Sequence, residues 1–378
     1  MAVGIILLFV GIGIIPTIAQ DIEKPFLPTS RGNWLYVGGS GPGNYSTIQS
    51  AIDNATDQDI VFVYNDSSPY FEHLNINKSI QLIGEDENTT IIDGSGSGEV
   101  ISVNADCVTI SRFTIRNGDR GITKWDFYRS CVFSWLRVEN NRIGIYLIGY
   151  ISGTIYGNEI AHCTIINSYC GILLGSDYNR IHDNIISNND DCGIYIYPIS
   201  GSITSSGSFN HIYNNSIENN GWDSDGDAAA GIVFMGSRFN EVYRNSIVHN
   251  PCGIRVEEYC LPGYKPANNN SIVQNNIVDN DVGIEIIARA KFNKIYQNNF
   301  IGNRRHASNT DLNFWTDGNG HGNYWDNWIG LRNEAFSSYP KIILGRRAHS
   351  SLYFDFIIYT PWVQFDLHPA QEPYDIGG

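Results

Sequence analysis

The sequence predicts an all-β fold, a right-handed parallel β-helix wound as a solenoid, and three observations carry that expectation. A short pattern recurs along the middle of the chain. Its apolar residues alternate with polar ones over three to five positions. Asparagine and glycine recur between the apolar stretches at fixed offsets. The pattern is plainest in Phe209-Asn-His-Ile-Tyr-Asn-Asn-Ser-Ile-Glu-Asn-Asn220, Phe239-Asn-Glu-Val-Tyr-Arg-Asn-Ser-Ile-Val-His-Asn250 and Phe292-Asn-Lys-Ile-Tyr-Gln-Asn-Asn-Phe-Ile-Gly-Asn303. Asn179 to Asn189 and Asn270 to Asn280 fit with small changes, giving the template F-N-x-I-Y-x-N-x-I-x-x-N. A second element, Gly-Ile-x-apolar, follows at Gly121, Gly144, Gly171, Gly193, Gly231, Gly253 and Gly283, with shortest spacings of 22 and 23 residues.

Alternation with a period of two is strand periodicity. Asn and Gly between the strands suit bends that need left-handed backbone angles. Each repeat therefore reads as about three short strands joined by tight turns. One such coil cannot bury its isoleucines alone, whereas a stack of coils puts Ile on Ile in a continuous column. Asn at a fixed turn position can stack amide on amide into a ladder. The regular coils are expected from about Ile91 to Asn303, within a β-helix domain spanning 34–330. The L-x-x-L-x-L pattern of a leucine-rich repeat is absent.

A solenoid needs its ends covered. In YSTIQSAIDNA, residues 45–55, Ser46 and Gln49 read as a capping box, and Ile48, Ala51, Ile52 and Ala55 form one apolar helical face. That predicts a short amphipathic helix closing the first coil. Beyond Asn303 the periodicity stops. Phe314, Trp315, Tyr324, Trp325, Trp328, Tyr359, Trp362 and Phe365 then read as an irregular aromatic cover, the tail proper being 331–378, or as a sugar-binding platform.

The charge balance argues against nucleic acid, and the leader and sequons lead us to expect an extracytoplasmic location. The net charge is −15, with 42 % hydrophobic and 17 % charged residues. That is enough apolar material for a large core, and nucleic acid would demand clustered Lys and Arg. Residues 1–19 carry an apolar run from Val3 to Ile15, with small residues at Thr17 and Ala19, and read as a secretory signal or an anchor. Seven N-x-S/T sequons start at Asn44, Asn54, Asn65, Asn77, Asn88, Asn214 and Asn269 and are glycosylation candidates. The chain has seven cysteines and no C-x-x-C. Cys170 and Cys192 precede the Gly-Ile element in neighbouring coils and should stack, either bonded or packed. Cys252 and Cys260 bracket an insertion that a disulfide would staple. Nothing in the pattern calls for a second copy, so a monomer is expected.

Catalytic motifs in the chain are fragmentary. Asp190-Asp191, Asn309-Thr310-Asp311 and Gly320-His321-Gly322 echo fragments of polygalacturonase-like machinery, but no R-I-K occurs and the order is wrong. Asp190 and Asp311 should lie several coils apart, whereas paired glycosidase carboxylates must sit about 5–9.5 Å apart. Asp223, Asp225 and Asp227 alternate as hard-cation loops do, making Ca²⁺ the one cofactor candidate, with a solvated acidic turn as the alternative. The nine His are scattered; His182 and His211 occupy one repeat position and are expected to stack. Insertions at about 198–208, 221–229 and 256–267 interrupt the repeat. The first and third leave from the same turn two coils apart, where they would wall a groove for an extended glycan.

The opening stretch, residues 41–96, looks like the start of many β-helix proteins, pectin methylesterases included. Together with the repeats and GNYWDNW at 322–328, it resembles the NosD-like right-handed β-helix family of exported archaeal and bacterial proteins. That resemblance covers about residues 36–330 and implies copper handling or help in assembling a copper enzyme. Copper favours soft clusters, and the chain has only two Met. Three functions therefore stand as expectations: a cell-surface protein that binds carbohydrate or is structural, a polysaccharide lyase or glycoside hydrolase, and a copper-linked periplasmic accessory protein.

Overall fold

A computed structural model of the chain describes residues 32–125, 130–149, 157–198, 207–223, 229–258, 266–328, 339–350 and 357–377. These form a parallel β-solenoid, right-handed as parallel crossovers are. Its three sheets have eleven, ten and ten strands, here called the first, second and third sheets in the order each coil visits them. Strands from Gln81–Gly84 to Arg305–Asn309 make nine complete coils. Regular stacking begins earlier than the repeat template suggests, because Trp34–Val37 and Ile60–Val63 already pair in parallel in the first sheet. No helix of the described residues is long and apolar enough to cross a membrane.

Each strand sends one column of side chains inward. Ile181, Ile212, Val242, Ile272 and Ile295 line the first sheet, Ile186, Ile217, Ile247 and Ile277 the second, and Ile194, Ile232, Ile254 and Ile284 the third, all fully buried. Parallel strands in exact one-coil register leave no alternative slot for these residues, so slippage by one position would expose a whole column.

Three asparagine ladders, rather than one, hold the bends. The first runs Asn158, Asn179, Asn210, Asn240, Asn270, Asn293, Asn313. The second runs Asn184, Asn215, Asn245, Asn275, Asn298, Asn323. The third runs Asn189, Asn220, Asn250, Asn280, Asn303. At each rung the backbone N–H and the side-chain amide both donate to the Oδ1 of the next coil's asparagine, as Asn210 does to Asn240 at 2.9 and 3.0 Å.

The ladder asparagines are not the left-handed residues. Between the two ends of the ladders that conformation falls on the residue before the asparagine, which is Phe209, Arg244, His249, Gln274 or Gln297 as readily as Asn214 or Asn219. A non-Gly residue there costs roughly 1–2 kcal/mol, which the ladder bonds of the following asparagine offset. The Gly-Ile glycines are not turn residues either, a correction to the sequence reading. They lie in third-sheet strands without positive φ, and their role is close approach: a Cβ on Gly193 would sit 2.6 Å from the carbonyl oxygen of Gly231, and one on Gly171 2.6 Å from that of Gly193.

The N-terminal helix is Ile48–Asn54, with Ile48, Ala51 and Ile52 buried on the first coil. Its cap differs from the expected Ser46–Gln49 box. Thr47 is the N-cap, its hydroxyl accepting from the Ser50 backbone, and the Glu72 carboxylate accepts from Ile48 and Gln49 N–H at 2.8 and 2.9 Å. The carboxylate from the next turn supplies what the box would have supplied, so Gln49 is free to reach Asp53 and Asn75. At the other end the tail is more ordered than its sequence suggests. Lys341–Ser350 and Ile357–Asp366 form an antiparallel hairpin. Its return strand terminates two ladders: Gln364 Oε1 accepts from Asn309 and from the Asn313 and Trp315 N–H groups, and Asp366 Oδ2 accepts from the Asn323 backbone at 2.7 Å and the Trp325 indole at 2.9 Å.

Candidate functional site

Side chains that point outward from a strand are free of the fold, so a working surface belongs on an outer face. On the first sheet the outward tyrosines of the template stack coil on coil. His182 lies on Tyr213 with centroids 4.7 Å apart, and Tyr213 on Tyr243 at 5.0 Å and 4°. Beside them the left-handed turn residues form a second aromatic column, with Tyr178 on Phe209 at 5.0 Å and Phe209 on Phe239 at 5.1 Å, and further along Phe292 lies 6.4 Å from Phe314, which bridges Lys294. Phe209, Phe239, Phe292 and Phe314 are each about two-fifths exposed, at 39 %, 44 %, 42 % and 44 %. The result is a band of partly exposed aromatic edges along the solenoid.

Polar groups are threaded through this band. His211 Nδ1 lies 3.2 Å from Glu241, and His182 Nε2 lies 3.1 Å from Glu159, which also pairs with Arg180. Burial raises the pKa of Tyr213, Tyr243 and Tyr296 above that of free tyrosine, so their hydroxyls stay protonated and able to donate. His182 and His211 do not stack as expected. Strand register pairs Arg180 with His211 and His182 with Tyr213, because His182 stands two residues further along its strand.

The third-sheet face carries the thiols. Cys170 and Cys192 stack as expected and are packed thiols with Sγ atoms 3.1 Å apart. Cys252 continues the same column beyond Ala230, and all three are buried with Val233. Burial pushes the Cys252 thiol up to about 12 and Cys192 in the same direction. Cys260 lies outside the described residues. Alkylation of the folded protein is therefore expected to mark the exposed Cys107 and to spare Cys131, Cys163, Cys170, Cys192 and Cys252 until unfolding. Peptide mass spectrometry reads this out, and modification of native Cys192 would show an open third-sheet face. The same face holds the Tyr146–Tyr197 hydroxyl pair at 2.7 Å, the Tyr195 hydroxyl on Met235 Sδ at 2.9 Å, and an Arg255–Glu285 ion pair at 3.1 Å.

A cleft of about 840 Å³ opens between the last coil and the hairpin, lined by Arg305, His306, Trp325, Lys341, Arg346 and Trp362 among others. His306 is buried against Asp326 at 2.6 Å, and burial lowers its pKa.

The remaining sequence candidates have structural roles or fall outside view. Asp190 and Asp311 are four coils apart, roughly 19 Å at about 4.8 Å per coil, and Asp311 is buried against Lys291 at 3.3 Å. His321 bonds Asp317 in an exposed turn. Asp223 is exposed, while Asp225 and Asp227 lie outside the described residues, as do the leader 1–19 and the centres of all three insertions. Strand order confirms that the first and third insertions leave from the third sheet two coils apart. None of the seven sequon asparagines is a ladder residue, and Asn214 and Asn269 sit on exposed left-handed turns.

Among the described residues no group of three or more His, Cys, Asp or Glu is arranged to hold a metal ion. The soft donors fit copper poorly. Cys170 and Cys192 donate and accept within their own column, their burial opposes the thiolate, and Met235 sulfur accepts from Tyr195.

Comparison with known proteins agrees with the architecture. Residues 43–261, more than half the chain, match the family described as right handed beta helix region, and residues 222–330 match the periplasmic copper-binding protein NosD. No curated protein is a significant sequence match. Among solved structures, alginate lyase from Paenibacillus sp. str. FPU-7 superposes with a TM-score of 0.54 at 16 % identity, covering 71 % of this chain and 94 % of that one. Pectate lyase Pel9A gives 0.54 at 15 % identity, covering 77 % and 81 %. The Dettilon tailspike protein gives 0.52 at 13 % identity, covering 85 % and 75 %. At these identities the likeness is one of fold.

Proposed function

Because this chain belongs to the right-handed β-helix family, we propose that it is an exported, cell-surface solenoid that binds polysaccharide along its first-sheet face without cleaving it. The observation that carries this reading is the pair of aromatic columns beside tyrosine hydroxyls and charged side chains of both signs. Aromatic side chains bury the apolar C–H surfaces of sugars, by dispersion along exposed edges and by C–H contact where a ring face is open, and the polar groups take up hydroxyls. Export is supported by the leader-like residues 1–19 and by the match to a periplasmic family. The separation of Asp190 from Asp311 supports binding over hydrolysis.

One observation favours a lyase as the second reading: Arg255 and the tyrosines 146, 195 and 197 share the third-sheet face, and β-elimination from a uronate needs a base and a carboxylate partner of that kind. The alginate and pectate lyases share the fold. Incubating the protein with a panel of soluble glycans, and scoring retention and new sugar ends on the same samples, separates the two. Retention with no new ends is expected. New reducing or unsaturated ends would overturn the binding reading.

A further inference from the structure

One coil breaks both aromatic columns at once. Where the template has Phe and Tyr, the coil beginning at Asn269 reads Asn269-Asn270-Ser271-Ile272-Val273. Ile272 still fills the core and Asn270 still forms its ladder rung, so the fold is indifferent to the change. Only the outer face differs. Val273 pairs with Tyr243 on one side and Tyr296 on the other. The two tyrosines are therefore two strand steps apart, roughly 9.6 Å, where Tyr213 and Tyr243 are 5.0 Å apart. The space between them is a cavity of about 410 Å³, floored by Val273 and lined by Glu241, Tyr243, Arg244, Ser271, Gln274 and Tyr296. The parallel column is broken at the same coil, with exposed Asn269 between Phe239 and Phe292.

We propose that this slot binds one neutral pyranose ring of a glycan, sandwiched between Tyr243 and Tyr296. This deepens the first-sheet reading and rests on it. Two carbon–carbon contacts of about 3.5–4.0 Å take up about 7–8 Å. The remaining space accommodates the pucker of a saturated ring. A pyranose presents C–H groups on both faces, which match the negative faces of two tyrosines. Around the rim Ser271, Gln274, Glu241 and Arg244 offer donors and acceptors to equatorial hydroxyls. The lining carries one carboxylate and one guanidinium, so it does not select an anion, and Glu241 opposes a uronate.

The test restores the template. Val273→Tyr places in the slot the residue found at the same position in neighbouring coils. Binding to neutral gluco-, manno-, xylo- and chito-oligosaccharides, and to oligogalacturonate as the acidic probe, is measured by titration calorimetry. Wild type is expected to bind a neutral member and to ignore the acidic one. Val273→Tyr should weaken that binding at least tenfold while unfolding at or above the wild-type temperature, because the new ring stacks. Tyr243→Ala and Tyr296→Ala should each weaken it about tenfold, or about 1.4 kcal/mol, and they serve as the test should Val273→Tyr fail to fold. Undiminished binding by folded Val273→Tyr, or by both alanine variants, overturns the slot and leaves the first-sheet reading standing. A preference for oligogalacturonate overturns the neutral assignment. A wild type that binds none of these glycans overturns both.

Discussion

Replacing Asn245 with alanine is expected to lower the unfolding free energy by about 3–5 kcal/mol. Asn245 is a middle rung of the second ladder and is 1 % exposed. Its Oδ1 accepts from the Asn215 backbone and side-chain amides at 3.0 and 2.9 Å. Its Nδ2 lies within reach of Ile212 O at 2.9 Å, Tyr243 O at 3.1 Å and Asn275 Oδ1 at 3.0 Å. Alanine leaves the Asn215 N–H without its acceptor and withdraws the donor from two carbonyls, and each buried orphan costs about 1–3 kcal/mol. Aspartate keeps the acceptor, loses the donated bonds and adds a buried charge, so it is no rescue. The control is Asn214→Gly, on the adjoining exposed left-handed turn, which should change stability by less than about 1 kcal/mol. Urea unfolding followed by circular dichroism compares them. Equal midpoints for the two variants would remove the ladder from the account of stability.

Gly193→Ala is the second large effect, expected to cost about 2–4 kcal/mol. The added Cβ would meet the Gly231 carbonyl oxygen at 2.6 Å. That atom is backbone, held in the same glycine column, where a Cβ on Gly231 would in turn lie 2.8 Å from Gly253 O. Relief requires two coils to part, which stretches their parallel strand bonds. Gly318→Ala makes the contrast. Gly318 has φ +82° and nothing within 4 Å of its would-be Cβ, so the cost is only the left-handed strain of about 1–2 kcal/mol. Were the Gly-Ile glycines turn residues, the two effects would be alike. Thermal unfolding of both variants decides it.

Much of this fold was legible because a solenoid writes its geometry as a period. Alternating Ile and polar residues specify strands, and Asn210, Asn215 and Asn220 stand five residues apart because each bend needs one amide. The bends themselves were misread at the level of single residues. Rules of backbone preference assign left-handed angles to Gly and Asn, yet Phe209 and Arg244 adopt them, since the ladder bond outweighs the local strain. The glycine column was misread for the converse reason: close approach between coils is invisible within one coil. Thr47 rather than Ser46 caps the helix because Glu72 comes from another turn to complete it. Cys170 and Cys192 were placed correctly because register alone decides it.

The candidate surface was partly legible. The Phe and Tyr columns stand in the aligned repeats, whereas the insertions at 198–208, 221–229 and 256–267, where the repeat breaks most visibly, leave from other parts of the coil. The signal that finds the slot is a template mismatch at Asn269 and Val273, two lost aromatics in one row where the core residues are unchanged.

Hydroxyl-radical footprinting with a bound oligosaccharide tests the central claim most directly. Tyrosine oxidation, read by mass spectrometry with and without glycan, reports which face the sugar covers. The expected result is loss of reactivity at Tyr243 and Tyr296, with Tyr213 beside them, and unchanged reactivity at Tyr146 and Tyr197 on the third sheet. Protection of the third-sheet tyrosines with Tyr243 and Tyr296 left reactive would contradict it.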